Sequence, residues 1–298
     1  MAISESQLET WSNQGAIAIA KSTHESIRNA ILSDSKLKDR NFEVYLQGSY
    51  RNSTNTWGDS DVDVVIQLSD VFVSDTSSLT ENQRTLFRIR YSDSTYHWED
   101  FRSDVLKALR EYYGEENIDE GNKSLKLKKT PGRLAADIVP CLQYRLYHPC
   151  SELTREDYTE GIWFRERDNN RSIVNYPKEH YNNGVNKNSD EKTGGLFKPI
   201  VRLFKNVRAY LLDRDSISKD LAPSYFIQCL LYNVPDKLFC TSYQETYYNI
   251  LNWLLDAPLS SFVCQNGVLP LFGNTPEQWS IEKAQKFRHA LIKLWNEW

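Results

Sequence analysis

Two aspartates two residues apart, Asp61 and Asp63, open the apolar run Asp61-Val62-Asp63-Val64-Val65-Ile66. Side chains alternate along a strand, so both carboxylates face one way while Val62 and Val64 face the other. Adjacent carboxylates repel unless a cation lies between them. Hard divalent cations with oxygen ligands, Mg²⁺ above all, are held in this manner where phosphoryl groups are transferred. Upstream, Gln47-Gly48-Ser49-Tyr50 reads as a tight turn. Its Gly allows close backbone approach to a phosphate, and its Ser adds a hydroxyl beside free N–H groups. Together the two stretches predict a phosphate cradle beside a metal site. A solvent-exposed strand start is the plainer reading of the same residues. A calcium loop opened by Asp59, Asp61 and Asp63 fails, because its sixth position, Val64, should be Gly and its twelfth, Asp70, should be Glu.

A third carboxylate appears in Arg133-Leu134-Ala135-Ala136-Asp137-Ile138-Val139-Pro140-Cys141-Leu142. A carboxylate inside an apolar strand is costly unless paired or bound to metal. If this strand pairs beside Asp61–Leu68, Asp137 completes a cluster able to hold two metal ions. Further on, Lys198, Arg202, Lys205 and Arg208 share one side of a helix whose other side carries Leu196, Ile200, Leu203, Phe204, Val207 and Leu211. Such a basic stripe is a solvated face or, following an acidic metal site, a triphosphate contact. Pro223-Ser224 opens another helix and puts Ser224 near an N-terminus that favours anions.

The elements that must position these groups follow from periodicity. Ser6 to about Leu37 reads as one long bracing helix, Phe42–Leu46 as a strand, Glu99–Tyr113 as a helix and Leu125–Leu127 as a strand. The polar segment after Leu68 to Gln83 reads as a surface loop or a short insertion. Lys123, Lys126, Lys128 and Lys129 read as the charges of a solvated edge strand. Ile162–Phe164 and Ser172–Tyr176 form a hairpin. Lys178–Gly195, dense in Asn, Lys and Gly, reads as a mobile lid or hinge. Helices are expected at Leu196–Leu211, Tyr225–Tyr232, Gln244–Leu255 and Pro276–Trp298, the last with Thr275 as N-cap and Gln278 completing a capping box.

Composition bounds the function. At 298 residues and 40% hydrophobic, with 8 Trp, 17 Tyr and 12 Phe, the chain can bury one large core or two modest ones. A net charge of -4 excludes nucleic-acid binding by bulk attraction. The absence of a long apolar run or charged-then-apolar leader points to a cytoplasmic protein with no membrane partner. Its five scattered cysteines are expected to be reduced thiols.

Taken together, Gly48-Ser49, Asp61-x-Asp63 and Asp137 resemble the DNA polymerase β-like nucleotidyltransferase superfamily. Gln47-Gly48-Ser49-Tyr50 with Thr54-Asn55, Asp59-Ser60-Asp61-Val62-Asp63, the Arg202/Lys205 helix and Pro223-Ser224-Tyr225 resemble more closely the cGAS/DncV-like nucleotidyltransferases, the bacterial CD-NTases of CBASS anti-phage defence, and most of all their clade E. The resemblance runs over nearly the whole chain. It implies an α+β fold: a polymerase β-like core with a mixed sheet and brace helix over residues 1–195, a C-terminal helical domain over 196–298, and an active site in the cleft between them. It implies that Asp61, Asp63 and Asp137 are catalytic and hold two Mg²⁺ ions, for which Mn²⁺ can substitute, about 3.5–4 Å apart. Gln47, Gly48, Ser49, Lys205 and Ser224 would bind the nucleotide. Asn175 would read a uracil edge with its amide, or else merely start the turn before Pro177. Tyr225 would stack on a base, or else pack in the core.

The activity implied is Mg²⁺-dependent joining of two or three NTPs, UTP and ATP foremost, into a pyrimidine-containing cyclic second messenger such as cyclic UMP-AMP or cyclic di-UMP. The product would act on a separate effector protein, and the enzyme would work as a monomer without extended nucleic acid. Addition of nucleotides to an RNA terminus and a catalytically inactive nucleotide-binding module are the alternatives.

Overall fold

The computed structural model describes residues 2–57, 61–150 and 156–298. The chain divides into two units, each discontinuous in sequence. One is Ile17–Tyr50 with Ser60–Lys178, and the other is Met1–Ala16, Arg51–Asp59 and Glu179–Trp298. The sequence reading instead makes a single cut at residue 195.

The first unit is built on one mixed sheet of β1 (Phe42–Leu46), β2 (Asp61–Asp75), β3 (Ile118–Glu120), β4 (Leu125–Leu127), β5 (Ala135–Tyr147), β6 (Tyr158–Arg165) and β7 (Ser172–Asn175). Its order is β1-β2-β5-β4-β3, with β6 on the later half of β5 and β7 on β6. The β2–β5 pair is parallel, and the other pairs are antiparallel. Two amphipathic helices, α2 (Ala18–Ser33) and α5 (Trp98–Tyr113), put Ile27, Ile31, Phe101, Val105 and Leu109 into the same core as Val62, Val64, Ile66 and Ile138. Each fully buried side chain of this kind stabilises the unit by roughly 1.5–3 kcal/mol. The Trp98 indole donates to the Pro140 carbonyl at 2.8 Å, which fixes α5 along β5. A short α3 (Gly48–Asn52) follows β1, and α4 (Glu81–Arg90) starts at a capping box of Thr80 and Gln83.

The second unit is helical: α1 (Glu5–Ser12), α6 (Pro177–Lys187, shared with the first unit at its start), α7 (Asp190–Thr193), α8 (Phe197–Leu212), α9 (Ser224–Tyr232), α10 (Tyr243–Asp256) and α11 (Ile281–Glu297). Its core gathers Leu8, Phe197, Phe204, Val207, Ile227, Leu230, Tyr247, Ile250 and Phe287. Glu5 of α1 accepts from the backbone N–H groups of Tyr243 and Gln244, both at 2.7 Å, and from the Ser242 hydroxyl, so it caps α10 from outside that helix.

Several expectations are corrected. The single brace helix is two helices, interrupted at residues 13–17. Buried Asn55 holds this break: Gly15 N–H donates to its carbonyl at 3.1 Å and Gln14 Nε2 to its Oδ1 at 2.8 Å. A Cβ on Gly15 would lie 2.6 Å from the Thr56 carbonyl, an approach that only glycine permits. The loop expected after Leu68 is instead the rest of β2 past a bulge, followed by α4. The strand expected at the edge, β4, is an interior strand between β3 and β5, and the flanking Lys123 and Lys128 pair with Glu166 and Asp119. The Asn-rich tract is α6 and α7 rather than a lid: Lys187 is anchored on the Val234 carbonyl and Asp236, Asn183 on the Gln265 carbonyl, and Thr193 on the Lys187 carbonyl. The last helix begins at Ser280, whose hydroxyl accepts from Lys283 N–H, while the Thr275–Gln278 contact closes a separate turn before it. All five cysteines are free thiols, three of them buried. No helix among the described residues is long and apolar enough to cross a membrane.

Candidate active site

In the sheet unit, the parallel register sets Asp61 beside Ala135 and Asp63 beside Asp137. Alternation then carries Asp61, Asp63 and Asp137 on one face, with Val62, Val64, Ala136 and Ile138 buried on the other. The condition placed on Asp137, that its strand pair with β2, is met. Ser124 donates to Asp137 Oδ1 at 2.9 Å, and Lys126 lies directly across from Asp137 on β4.

The turn after β1 is tied to the same strand. Gln47 N–H donates to the Asp63 carbonyl at 2.9 Å. Gly48 has φ 64°, and a Cβ there would lie 2.0 Å from Asp63 Oδ2. Glycine is therefore required twice, for the left-handed backbone and for the carboxylate pressed against it. Gly48 and Ser49 open α3, so the expected Gly-Ser turn is a short helical turn. Asp59 and Ser60 lie outside the described residues.

The donor set fits a hard divalent cation: three carboxylates on one sheet face, all oxygen ligands. As the side chains stand, no three His, Cys, Asp or Glu among the described residues are grouped closely enough to hold an ion. Asp137 Oδ1 is turned to Ser124.

Asn175 ends β7 opposite Ile162, and its Oδ1 accepts from the Tyr176 N–H at 2.9 Å. On the same unit Gln67, although buried, is fully engaged: its Oε1 accepts from the Tyr45 hydroxyl and its Nε2 donates to Glu160, both at 2.7 Å. Burial works against ionisation of Glu160, but Lys178 at 2.6 Å and Gln67 outweigh it and hold the carboxyl below its usual range.

In the helical unit the basic side of α8 is not a solvated face. Arg202 donates to the carbonyls of Ser12 and Ser53, Arg208 to that of Lys219, and buried Lys205 to that of Thr54 at 2.8 Å. Burial pulls the Lys198 ammonium down, helped by Arg202 and Arg51. Ser224 is the exposed first residue of α9. Tyr225 follows it 37% exposed and stacks on His180 with ring centroids 5.4 Å apart and an interplanar angle of 21°. The core-filler reading of Tyr225 therefore describes only part of the ring.

Sequence reasoning passed over Ser124, His180, Gln228 and Gln265. Ser124 carries no motif signal. The other three are lone polar residues in apolar or loop contexts, and Gln228 within Tyr225–Tyr232 is the one with a readable cue, a polar residue on the buried side of an otherwise apolar helix.

Comparison with known proteins follows the same lines. A model of the cGAS/DncV-like nucleotidyltransferase C-terminal helical domain matches residues 182–296, and a nucleotidyltransferase domain model matches residues 25–125. A cyclic UMP-AMP synthase of Rhodothermus marinus is 50% identical over 298 residues, covering 100% of this chain and 99% of that protein. Cyclic nucleotide synthase CdnE01 of Staphylococcus haemolyticus is 42% identical over 305 residues, with 100% of each covered. The solved structure of Rhodothermus marinus CdnE c-UMP-AMP synthase with Apcpp and Upnpp matches with a TM-score of 0.91 at 49% identity, covering 99% of this chain and 97% of that one. The chain belongs to the cGAS/DncV-like nucleotidyltransferases, among their CdnE cyclic nucleotide synthases.

Proposed function

We propose that this enzyme joins UTP and ATP into a cyclic UMP-AMP dinucleotide, with Mg²⁺ as its divalent cation, and that the product signals to a separate effector protein in cytoplasmic anti-phage defence. The observation that carries the chemistry is the β2–β5 register, which sets Asp63 beside Asp137 on the face that also bears Asp61. The base choice is supported by the similarity to the Rhodothermus marinus cyclic UMP-AMP synthase.

In each of two successive steps a ribose hydroxyl of one nucleotide attacks the α-phosphorus of another. The new phosphorus–oxygen bond replaces the bond to the β-phosphate, and pyrophosphate leaves. Asp61, Asp63 and Asp137 would hold the cation, whose chemistry when bound is to neutralise charge on the attacking and leaving oxygens. Asp137 takes the hydroxyl proton, with Ser124 steadying one of its oxygens. Gln47, Gly48 and Ser49 present the turn that receives phosphate, where the missing Cβ of Gly48 keeps Asp63 close. Lys205 and Ser224 take the triphosphate charge, Ser224 from the first turn of α9. Tyr225 stacks on a base. Asn175 reads uracil: with Oδ1 engaged by Tyr176 N–H, its amide presents Nδ2 as a donor. A donor matches the O4 acceptor of uracil and opposes the 4-amino group of cytosine.

The test is incubation with all four NTPs and Mg²⁺, with products identified by mass spectrometry. The expected product is a phosphatase-resistant species with the mass of cyclic UMP-AMP, absent when Asp61→Asn and Asp63→Asn are combined. Elongated RNA, or undiminished product from the double variant, would overturn the reading.

A further inference from the structure

Beneath Tyr225 and Lys205, four stretches of the helical unit converge on one buried polar chain. Gln228 of α9 uses every polar position it has. Its Nε2 donates to His180 Nε2 at 3.0 Å and to Gln265 Oε1 at 3.0 Å, and its Oε1 accepts from the Thr54 hydroxyl at 3.2 Å. Gln265 Nε2 closes a loop by donating to the His180 carbonyl at 2.6 Å. The Thr54 carbonyl in turn accepts from Lys205 Nζ at 2.8 Å. His180 thus touches both arms: its ring lies against Tyr225, and its Nε2 anchors the amide that holds Thr54.

The protonation state follows from the partners. Because Nε2 accepts, the ring is neutral with its proton on Nδ1. Burial pushes the imidazole down to about 4, which agrees. The Nδ1 position is buried with no hydrogen-bond partner. Such an orphan costs roughly 1–3 kcal/mol. A phenyl ring would fill the volume and back Tyr225 without that cost, so packing alone does not account for an imidazole here. Its Nε2 acceptor does.

We propose that His180 is a positioning residue for nucleotide binding, setting the ring of Tyr225 by stacking and the ammonium of Lys205 through Gln228 and Thr54. This rests on the reading of Tyr225 and Lys205 as nucleotide-binding residues, and the two ideas are separated by the controls below. The variants His180→Phe and His180→Gln divide the two arms. Phe keeps the stack and loses the acceptor; Gln keeps a side-chain acceptor and loses the ring.

Binding is measured on the intact chain with Mg²⁺ and two probes, inorganic tripolyphosphate and α,β-imido-UTP. His180→Phe should weaken both probes by about five- to tenfold, the effect of one lost hydrogen bond. His180→Gln should weaken only the nucleotide, leaving tripolyphosphate within about twofold. Should His180→Phe fail to fold, Thr54→Val removes the same link and should weaken tripolyphosphate by about fivefold. Unchanged binding in the folded variants, or equal weakening of both probes by both His180 variants as general loosening would give, overturns the proposal. As controls, Lys205→Ala should weaken both probes and Tyr225→Ala the nucleotide alone. If these controls have no effect, the underlying assignment of the site falls, and the role of His180 with it.

Discussion

Replacing Gly48 by Ala adds one methyl group and tests whether the turn after β1 and the Asp63 carboxylate work as a unit. At φ 64° a residue with a Cβ is strained by about 1–2 kcal/mol. The new carbon would lie 2.0 Å from Asp63 Oδ2, a full 1.0 Å inside the 3.0 Å that real Cβ contacts respect. Asp63 is only half-buried, so its carboxylate can swing aside and the fold survives. The displacement, however, is the size that costs about 100-fold in a positioned reaction. Gly48→Ala should therefore lower Tm by only a few degrees and lower kcat by about 100-fold, read by pyrophosphate release. Gly132→Ala is the matched control, with φ 84° and nothing within 4 Å of the added carbon. It carries similar backbone strain and should leave kcat within about twofold. Should Gly48→Ala retain more than about a tenth of kcat, or Gly132→Ala lose as much, the argument that Asp63 must stay against the turn is wrong.

Asn175→Ala should lower uridine incorporation about tenfold relative to adenosine, the worth of one discriminating hydrogen bond, in competition assays with mixed NTPs; an unchanged nucleotide profile removes Asn175 from base reading. His180 binds its proton less readily folded than unfolded, since burial takes it from 6.5 to about 4. Its stabilisation is thus complete above 6.5 and is lost as pH falls toward 4. Urea titrations should show wild type losing about 2 kcal/mol more than His180→Gln between pH 7 and pH 5, and parallel curves would refute the buried neutral imidazole. Burial tends to raise the Glu5 carboxyl, but the Gln244 and Tyr243 N–H groups and the Ser242 hydroxyl hold it below its usual range. Its capping is therefore present above about 4.5 and is lost on acidification below that value. Glu5→Gln should cost about 1–2 kcal/mol near pH 7 by thermal melting, and the difference from wild type should vanish in acid.

The carboxylates were legible because strand alternation is local: Asp61-x-Asp63 announces a shared face without knowledge of any partner strand. Asp137 announces only a carboxylate in need of company. That its company is Asp63 is a matter of register between segments more than 70 residues apart, settled by packing of Val62, Val64, Ala136 and Ile138 into one core. The lysines around β4 misled because charge density mimics an edge strand, whereas the strand itself carries only Lys126, and the flanking Lys123 and Lys128 pair with Glu166 and Asp119. The tract after Lys178 misled in a similar way. Asn, Gly and Thr lower intrinsic helix propensity, but here the side chains of Asn183, Lys187 and Thr193 bond carbonyls of the helical unit, and tertiary contacts decide the structure. The His180 network was invisible for the same reason, since its four contributors, Thr54, His180, Gln228 and Gln265, are unremarkable until the fold collects them.

Because the helical unit takes in Met1–Ala16, Arg51–Asp59 and Glu179–Trp298, the backbone changes unit after residues 16, 50, 59 and 178. During synthesis the sheet unit is available for folding as soon as Lys178 clears the ribosome. The helical unit must hold its first 16 residues in waiting until the last helix emerges, since Leu8 belongs to the same core as Phe287 and Leu291. A ribosome stalled or a message cut anywhere in the final third therefore releases a chain with an assembled sheet and an orphaned amphipathic leader. Formation of the helical core therefore waits on α11, which brings Phe287 and Leu291 to the cluster that Leu8 joins.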